Sequence, residues 1–311
     1  MKSDIHVILA SPRGFCAGVV RAIETVKLTL ATEGSPVYVL HEIVHNKHVI
    51  AELEERGARF VTELSEIPAG EICIFSAHGV SAATENLAEK LDLRTIDATC
   101  PLVTSIHQMV EKYHGQGYDV VIIGHHGHPE VMGTAGRVSG RVHIVANESE
   151  AELVEMANPE KVAYVTQTTL SQDDVAGIKA ILEKRFPHIK GPLRSNICYA
   201  TQNRQNAVTY LAGKTDLILV VGSKNSSNSN RLREVARKSG GTSYLIDDWE
   251  DIEPQWLEGV STIGITAGAS APERLVNGVL EWLQKNAKVT SITQMEGREE
   301  RISFKPASFR S

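Results

Sequence analysis

The sequence lacks several features that mark common classes of protein. No apolar run approaches the roughly 20 residues that a membrane-crossing helix needs. The first residues lack the basic region, long apolar region and cleavage site of a secretory leader. Acidic residues exceed basic ones, for a formal net charge of -6, which argues against a nucleic-acid-binding surface. We therefore expect a cytoplasmic protein that binds neither nucleic acid nor membrane.

Two further absent features argue against nucleotide binding by a P-loop and against disulfide bonds. No G-x-x-x-x-G-K-[ST] sequence is present, so a nucleotide P-loop is unsupported and any phosphate belongs to a smaller molecule. With only four cysteines and no leader, metal ligands or core thiols are favoured over disulfides, as in a reducing compartment.

The chain contains a pattern of motifs that occurs three times, each time beginning at a cysteine: Cys16, Cys100 and Cys198. At a similar spacing after each one, a polar cluster follows an apolar run: HEIVHN with His45, GHHGHPE with His128, and SKNSSNSN with Asn228. A second polar cluster follows each first one: SAHGVS with His78, TQTTLS with Thr168, and TAGASAP with Ser270. Repetition of this kind implies repeated supersecondary units.

Short apolar runs alternate with helical patterns, which indicates an α/β protein with mainly parallel sheets covered on both faces. The candidate strands are residues 6–10, 37–40, 72–76, 120–124, 142–145, 163–166, 217–222, 244–246 and 262–265. We expect three α/β units, at residues 1–97, 98–194 and 195–287, followed by a C-terminal tail at residues 288–311. Each unit would offer one thiolate and two polar loops to a shared centre.

The three cysteines share a local setting that suits metal binding. Cys16 lies between two glycines where a strand meets a helix, and Cys100 precedes Pro101, which suits a first helical turn. Helix N-termini stabilise thiolates, and three thiolates at one point are soft-metal ligands. On an iron–sulfur cluster they would leave one iron without a protein ligand, because the usual complement is four. Cys73 lies inside the apolar run EICIFS and is expected to be a core thiol.

The loop GHHGHPE predicts a pair of ligand-facing side chains. Pro129 biases His128 towards an extended conformation, and residues two apart in extended chain face the same way. We therefore expect His128 to bind an anion and Glu130 to deliver protons to the same ligand. The alternative is a solvated loop, and His125 and His126 are expected to be packing or surface residues.

Hydroxyl and amide side chains collect in SKNSSNSNRL, after the apolar run LILVVG. Open α/β sheets bind ligands at the carboxyl ends of their strands, and helix N-termini there favour phosphate. Simple N-capping would need only one of these residues.

Taken together, these motifs closely resemble the 4-hydroxy-3-methylbut-2-enyl diphosphate reductases, the LytB-type iron–sulfur enzymes, from Ile8 to Glu300. The resemblance implies a trefoil of three α/β units around a [4Fe–4S] cluster held by Cys16, Cys100 and Cys198. It implies that the substrate diphosphate is bound by His45, His78, His128, Ser226, Ser227, Asn228 and Ser270. It makes Glu130 the proton donor and Thr168 the residue that orders the substrate hydroxyl.

The resemblance also implies a reaction and its partners. An allylic diphosphate substrate would lose its hydroxyl as water and give isopentenyl and dimethylallyl diphosphate. Reduced ferredoxin or flavodoxin would supply two electrons through the cluster. The sequence does not distinguish between these donors, or between a monomer and a homodimer.

Two other classes of function stay open on the residues alone. A non-catalytic iron–sulfur sensor or carrier needs the cysteines but not three phosphate-suited loops. A zinc hydrolase could use the His/Glu cluster and needs no convergence of distant cysteines. The colour of the purified protein, brown for a cluster and colourless for zinc, separates the second from the others.

Overall fold

The computed structural model describes residues 4–309, in which parallel strands alternate with α-helices. The strands are β1 (Asp4–Leu9), β2 (Val37–Leu40), β3 (Ala58–Val61), β4 (Ile72–Phe75), β5 (Arg94–Asp97), β6 (Asp119–Ile123), β7 (Val142–Val145), β8 (Val162–Thr166), β9 (Leu217–Val221), β10 (Thr242–Ile246), β11 (Thr262–Ala267) and β12 (Lys288–Gln294). The α-helices are α1 (Ala17–Glu33), α2 (Lys47–Glu55), α3 (Ala82–Lys90), α4 (Pro101–Gly115), α5 (Pro129–Ala135), α6 (Glu148–Leu153), α7 (Gln172–Arg185), α8 (Tyr199–Ala212), α9 (Ser227–Lys238) and α10 (Glu273–Asn286).

These strands form three sheets, and every strand pair in them is parallel. The predicted α/β class with parallel sheets is confirmed. Among the α-helices of residues 4–309, none has the length and apolar character that crossing a membrane requires.

One compact unit consists of residues 4–17, 45–49 and 199–302 and contains the five-stranded sheet, in the order β10-β9-β11-β1-β12. The packing on both faces of strand β9 explains why its sequence is apolar throughout. Leu217, Leu219 and Val221 pack in one cluster with α10, and Ile218 and Val220 pack in another with α8 and α9. Successive side chains of a strand face opposite ways, so helices on both faces require a continuous apolar run.

The other compact unit consists of residues 18–44, 50–198 and 303–309 and contains two sheets. Their strand orders are β3-β2-β4-β5 and β7-β6-β8. Strand β6 is buried in the same two-faced manner as β9. Val121 and Ile123 pack with α7, whereas Val120 and Ile122 pack with α4.

Two segments pair with strands outside the unit or tail to which the sequence analysis assigned them. Strand β1, expected in the first unit, pairs with β11 and β12. Residues 288–294, expected in the tail, form β12 at the edge of that sheet. The physical reason is that an apolar strand can pair with any parallel neighbour, so the sequence of β1 does not specify its partners. The division at residues 97, 194 and 287 otherwise stays a prediction.

Candidate functional site

Each of the three predicted ligand cysteines directly precedes an α-helix. Cys16 is followed by α1, Cys100 is the N-cap residue of α4, and Cys198 is followed by α8. None of the three is in a disulfide, and all three are partly exposed. The partial positive charge of a helix N-terminus stabilises a thiolate and an anionic group bound to it.

Cys73 has the opposite character. It lies within β4 and is fully buried. Burial raises the pKa of its thiol to about 12, so it does not ionise near neutral pH. A thiol that keeps its proton is not a metal ligand, which agrees with the expected core position.

In the unit that contains the five-stranded sheet, the loop after β11 lies against both Cys16 and His45. The backbone N–H of Cys16 donates to the carbonyl of Ala269 at 3.2 Å. The next residue, Ser270, donates from its hydroxyl to the carbonyl of His45 at 2.9 Å. The carboxyl ends of β1 and β11 are adjacent because the strands pair in parallel, which explains why their loops meet.

The N-terminus of α9 lies beside the same loop. Ser226 is the N-cap residue, and its hydroxyl accepts from the N–H of Ser229 at 3.3 Å. Asn228, in the first turn, is 5% exposed, and neither polar atom of its side chain has a hydrogen-bond partner. A Cβ added to Gly268 would lie 3.4 Å from Asn228 Nδ2. A buried amide without partners is unfavourable by about 1–3 kcal/mol per group, and hydrogen bonds to a polar ligand could offset that cost.

In the other unit, Glu130 and Thr168 form a buried pair, with exposed fractions of 4% and 6%. The N–H of Thr168 donates to Glu130 Oε1 at 2.6 Å, and the hydroxyl donates to Oε2 at 2.7 Å. Burial raises the pKa of Glu130, and the two hydrogen bonds from Thr168 offset part of that rise. The carboxyl group is therefore disposed to keep a proton at a pH where an exposed glutamate has lost it.

His128 lies beside this pair as the N-cap residue of α5. Its Nδ1 accepts from the N–H of Glu130 at 3.2 Å, so the neutral ring carries its proton on Nε2. The His78 ring meets the His128 ring edge-on, with centroids 5.9 Å apart. The expected extended geometry is wrong for Glu130, because Pro129 begins a helix and side-chain alternation does not continue there. The helix cap, rather than a shared strand face, keeps the two residues together.

The remaining two cysteines are held close to these residues within the same unit. The N–H of Cys100 donates to the carbonyl of Ala77, next to His78, at 3.0 Å. The N–H of Cys198 donates to the carbonyl of Thr168, also at 3.0 Å. His126 instead lies at the surface with its Nε2 2.8 Å from Glu150, as expected for a residue outside the site.

A zinc signature that sequence reasoning passed over occurs at residues 41–45, where HEIVH reads H-E-x-x-H. The signature binds zinc when it lies on a helix, which puts both histidines on one face. Here helix α2 begins only at Lys47, and His41 has a φ of 58°, in the left-handed region. The two histidines therefore do not share a helix face.

Across residues 4–309, no three or more His, Cys, Asp or Glu side chains surround one point as ligands of a single ion. An iron–sulfur cluster makes a different demand, because each thiolate binds a separate iron. Cys16, Cys100 and Cys198 each lie at a helix N-terminus, a setting that favours a thiolate ligand.

Sequence reasoning also missed Arg204, which is 1% exposed and donates to the carbonyl of Gly14, two residues before Cys16. A signal was present in the helical pattern. Arg204 shares one face of α8 with Ala207, Val208 and Leu211, all buried, so a charged side chain there had to find partners inside the fold.

Comparison with known proteins matches the chain along almost its whole length. A family model described as LytB protein matches residues 7–284. The 4-hydroxy-3-methylbut-2-enyl diphosphate reductase of Desulfotalea psychrophila is 62% identical over 304 residues, which cover 98% of this chain and 96% of that protein. The protein of the same name from Aromatoleum aromaticum is 54% identical over 301 residues, covering 97% and 96%.

Solved structures agree with these relatives. The E-1-hydroxy-2-methyl-but-2-enyl-4-diphosphate reductase from Plasmodium falciparum superposes with a TM-score of 0.92 at 39% identity, over 96% of this chain and 94% of that one. The resemblance suggested by the motifs is thereby confirmed, and this chain belongs to the LytB family.

Proposed function

We propose that this protein reduces (E)-4-hydroxy-3-methylbut-2-enyl diphosphate to isopentenyl diphosphate and dimethylallyl diphosphate. The reaction takes up two electrons and two protons, breaks the allylic C–O bond and releases water. One observation carries the proposal: a protein of that name is 62% identical over 98% of the chain. The aligned region covers nearly the whole chain, so it is long enough to include the predicted site loops.

We propose further that Cys16, Cys100 and Cys198 hold a [4Fe–4S] cluster. Their partly exposed thiols, none of them in a disulfide, lie at three helix N-termini and support this assignment. When bound, the cluster supplies the electrons and one iron that no protein side chain occupies. The inert, buried thiol of Cys73 has no part in it.

The substrate diphosphate would be bound by polar groups at strand and helix ends: His45, His78, His128, Ser226, Ser227, Asn228 and Ser270. The unpartnered amide of Asn228 beside the N-terminus of α9 is the strongest support, because a phosphate oxygen and a hydroxyl or water could satisfy it. The Nε2–H of neutral His128 is a further donor suited to a phosphate oxygen.

Glu130 would hold the proton that the reaction needs, with Thr168 between it and the substrate hydroxyl. In the ionised state Thr168 donates to Glu130 from its hydroxyl. When Glu130 is protonated, the carboxyl O–H can donate to Thr168 Oγ1, and the threonine hydroxyl is then free to donate to the substrate. This exchange orders the leaving hydroxyl and delivers the proton along one path.

The donor of electrons and the location of the protein follow as parts of the same proposal. Reduced ferredoxin or flavodoxin is the proposed donor, and the cytoplasm is the proposed compartment. None of the four cysteines, all of which lie within residues 4–309, is in a disulfide, which supports a reducing compartment. Monomer and homodimer remain alternatives that a sedimentation measurement separates.

The test is anaerobic reconstitution followed by turnover. The chain should bind about four irons and four sulfides, turn brown and convert the diphosphate substrate when a chemical one-electron reductant is added. A brown protein that converts no substrate would favour the sensor or carrier class. A colourless protein that retains zinc would favour a hydrolase.

A further inference from the structure

The carbonyls just before Cys16 are held by a buried arginine. Arg204, on α8, donates from Nε and Nη2 to the carbonyl of Gly14, at 3.0 and 2.8 Å. Its Nη2 also lies 3.3 Å from the carbonyl of Phe15, the residue next to Cys16. The planar, forked guanidinium can bind two backbone carbonyls and a carboxylate together, which a lysine ammonium cannot do in the same geometry.

The charge of Arg204 is balanced by Glu300, from the C-terminal segment. Arg204 Nη1 lies 3.1 Å from Glu300 Oε1, and Nη2 lies 3.3 Å from Oε2. Asn203 adds a hydrogen bond to Glu300 Oε1 at 2.9 Å. A buried charge is tolerated when it is paired and its hydrogen bonds are satisfied, and this pair meets both conditions.

Residues 295–300, here called the C-terminal strap, lie directly over the Cys16 loop. The N–H of Met295 donates to the carbonyl of Leu9 at 3.0 Å, where the loop begins. At Gly297 a side chain would collide with the carbonyl of Ser11. The strap thus contacts the loop at its start, and through Glu300 and Arg204 also near its end.

The loop after β11 holds the Cys16 loop through other backbone groups. The N–H of Gly14 donates to the carbonyl of Ala267 at 3.1 Å, and the N–H of Cys16 donates to that of Ala269. Gly14 has a φ of 67°, which favours glycine. Both the donor and the acceptor of the Gly14 backbone are therefore bound, so the position of Cys16 depends on Arg204 as well as on β11.

We propose that Arg204 and Glu300 are positioning residues for the cluster. They hold the backbone before Cys16 so that its thiolate has one orientation. The positive charge of Arg204 and the negative charge of Glu300 also cancel each other beside that ligand. This rests on the proposed function, in which Cys16 binds iron. It also gives the C-terminal strap a role that the sequence did not reveal.

Four variants separate this proposal from general support of the fold, and the first three serve both as test and as control; the fourth, Arg204→Gln, is used in the second measurement. Glu300→Gln removes the balancing charge with little change of shape, and Arg204→Lys keeps the charge but loses the fork. Glu299→Gln is the matched control, because Glu299 pairs with Arg301 in solvent, where both side chains are more than two-thirds exposed. Thermal unfolding of each variant identifies any that fails to fold. If the Arg204 variants fail to fold, Glu300→Gln is sufficient to test the proposal.

The first measurement needs no cluster. Amide hydrogen exchange over residues 12–17 of the full chain, before iron is added, should be about tenfold faster or more in Glu300→Gln and Arg204→Lys, since each loses hydrogen bonds to a charged group. Glu299→Gln should match the unchanged protein. Unaltered exchange in Glu300→Gln would overturn the proposal, whether or not the chain binds iron.

The second measurement uses the reconstituted protein and detects the charge. Glu300→Gln leaves the Arg204 charge unbalanced beside Cys16, which favours the more negative, reduced cluster, so the reduction potential should rise. Arg204→Gln leaves Glu300 unbalanced, so the potential should fall. Opposite shifts with the control unchanged support the proposal, whereas shifts of the same sign, or none, overturn it. If the unchanged chain binds no iron, the proposed function fails and the exchange result still judges the contact.

Discussion

Replacing Glu130 with glutamine tests the proton path and little else. The side chain is buried, and Thr168 donates to it from both its N–H and its hydroxyl. In the variant the amide oxygen can still accept from the Thr168 N–H. The amide N–H₂ then faces Thr168 Oγ1, and the hydroxyl can turn and accept from it. Shape and hydrogen bonding survive, and only the transferable proton is lost.

The expected effect is large because a neutral amide cannot replace a carboxylic acid. General acid–base groups typically contribute 10²–10⁴-fold, so turnover should fall at least about a hundredfold, or about 2.7 kcal/mol in the barrier. Binding of the substrate and of iron should be nearly unchanged. Glu150→Gln is the matched control, because that carboxylate pairs with His126 at the surface, and it should retain full turnover.

A pH series gives the same variant a second signature. Burial raises the pKa of Glu130 above its ordinary value of 4.5 in the folded chain. Between the two values the folded state keeps a proton that the unfolded state releases, so this group's contribution to stability is lost as pH rises. Glu130→Gln should remove that loss.

Turnover within tenfold of the unchanged protein would refute the proton path and move the proton source to the substrate diphosphate or an ordered water.

Three further predictions follow from single side chains. Asn228→Ala should weaken substrate binding about tenfold or more, because hydrogen bonds to a charged group are worth about 1.5–3 kcal/mol, while iron content stays unchanged; equal affinity by calorimetry would contradict this. Cys73→Ser should retain the cluster in an anaerobic iron assay, whereas Cys198→Ser should lose it, and the reverse pattern would contradict the ligand assignment. Burial lowers the pKa of His107 from 6.5 to about 4. Between those values only the unfolded state is protonated, so the free energy of unfolding falls as the pH falls, by about 3 kcal/mol in all. His107→Gln should make the free energy of unfolding, measured by urea titration at a series of pH values, less dependent on pH in this range.

Much of this could be predicted because its signals are local. Strands buried on both faces are continuous apolar runs, as in β6 and β9, and the residues after them are polar because the loops lie at sheet edges. The positions of Cys16 and Cys100 before helices are also local, since the glycines around Cys16 and the proline after Cys100 mark the junctions. The residues proposed for the site can therefore be recognised in the sequence without knowledge of the fold.

What could not be predicted depends on distant parts of the chain. Strands β3, β5 and β12, with sequences ARFV, RTID and KVTSITQ, carry charged or polar residues, and pairing with a neighbour rather than an apolar run defines them. The contact between Arg204 and Glu300 joins residues far apart in sequence. The helix that begins at Pro129, with His128 as its N-cap residue, replaced the extended geometry expected for Glu130.

The most direct test of the account is the stoichiometry of the reaction. The reconstituted chain should be supplied anaerobically with (E)-4-hydroxy-3-methylbut-2-enyl diphosphate and a measured amount of one-electron reductant. The account predicts two electrons consumed for each molecule of isopentenyl or dimethylallyl diphosphate formed, with the diphosphate group retained. A chain with a full complement of iron and sulfide that consumes no electrons, or that instead releases inorganic diphosphate, would contradict it.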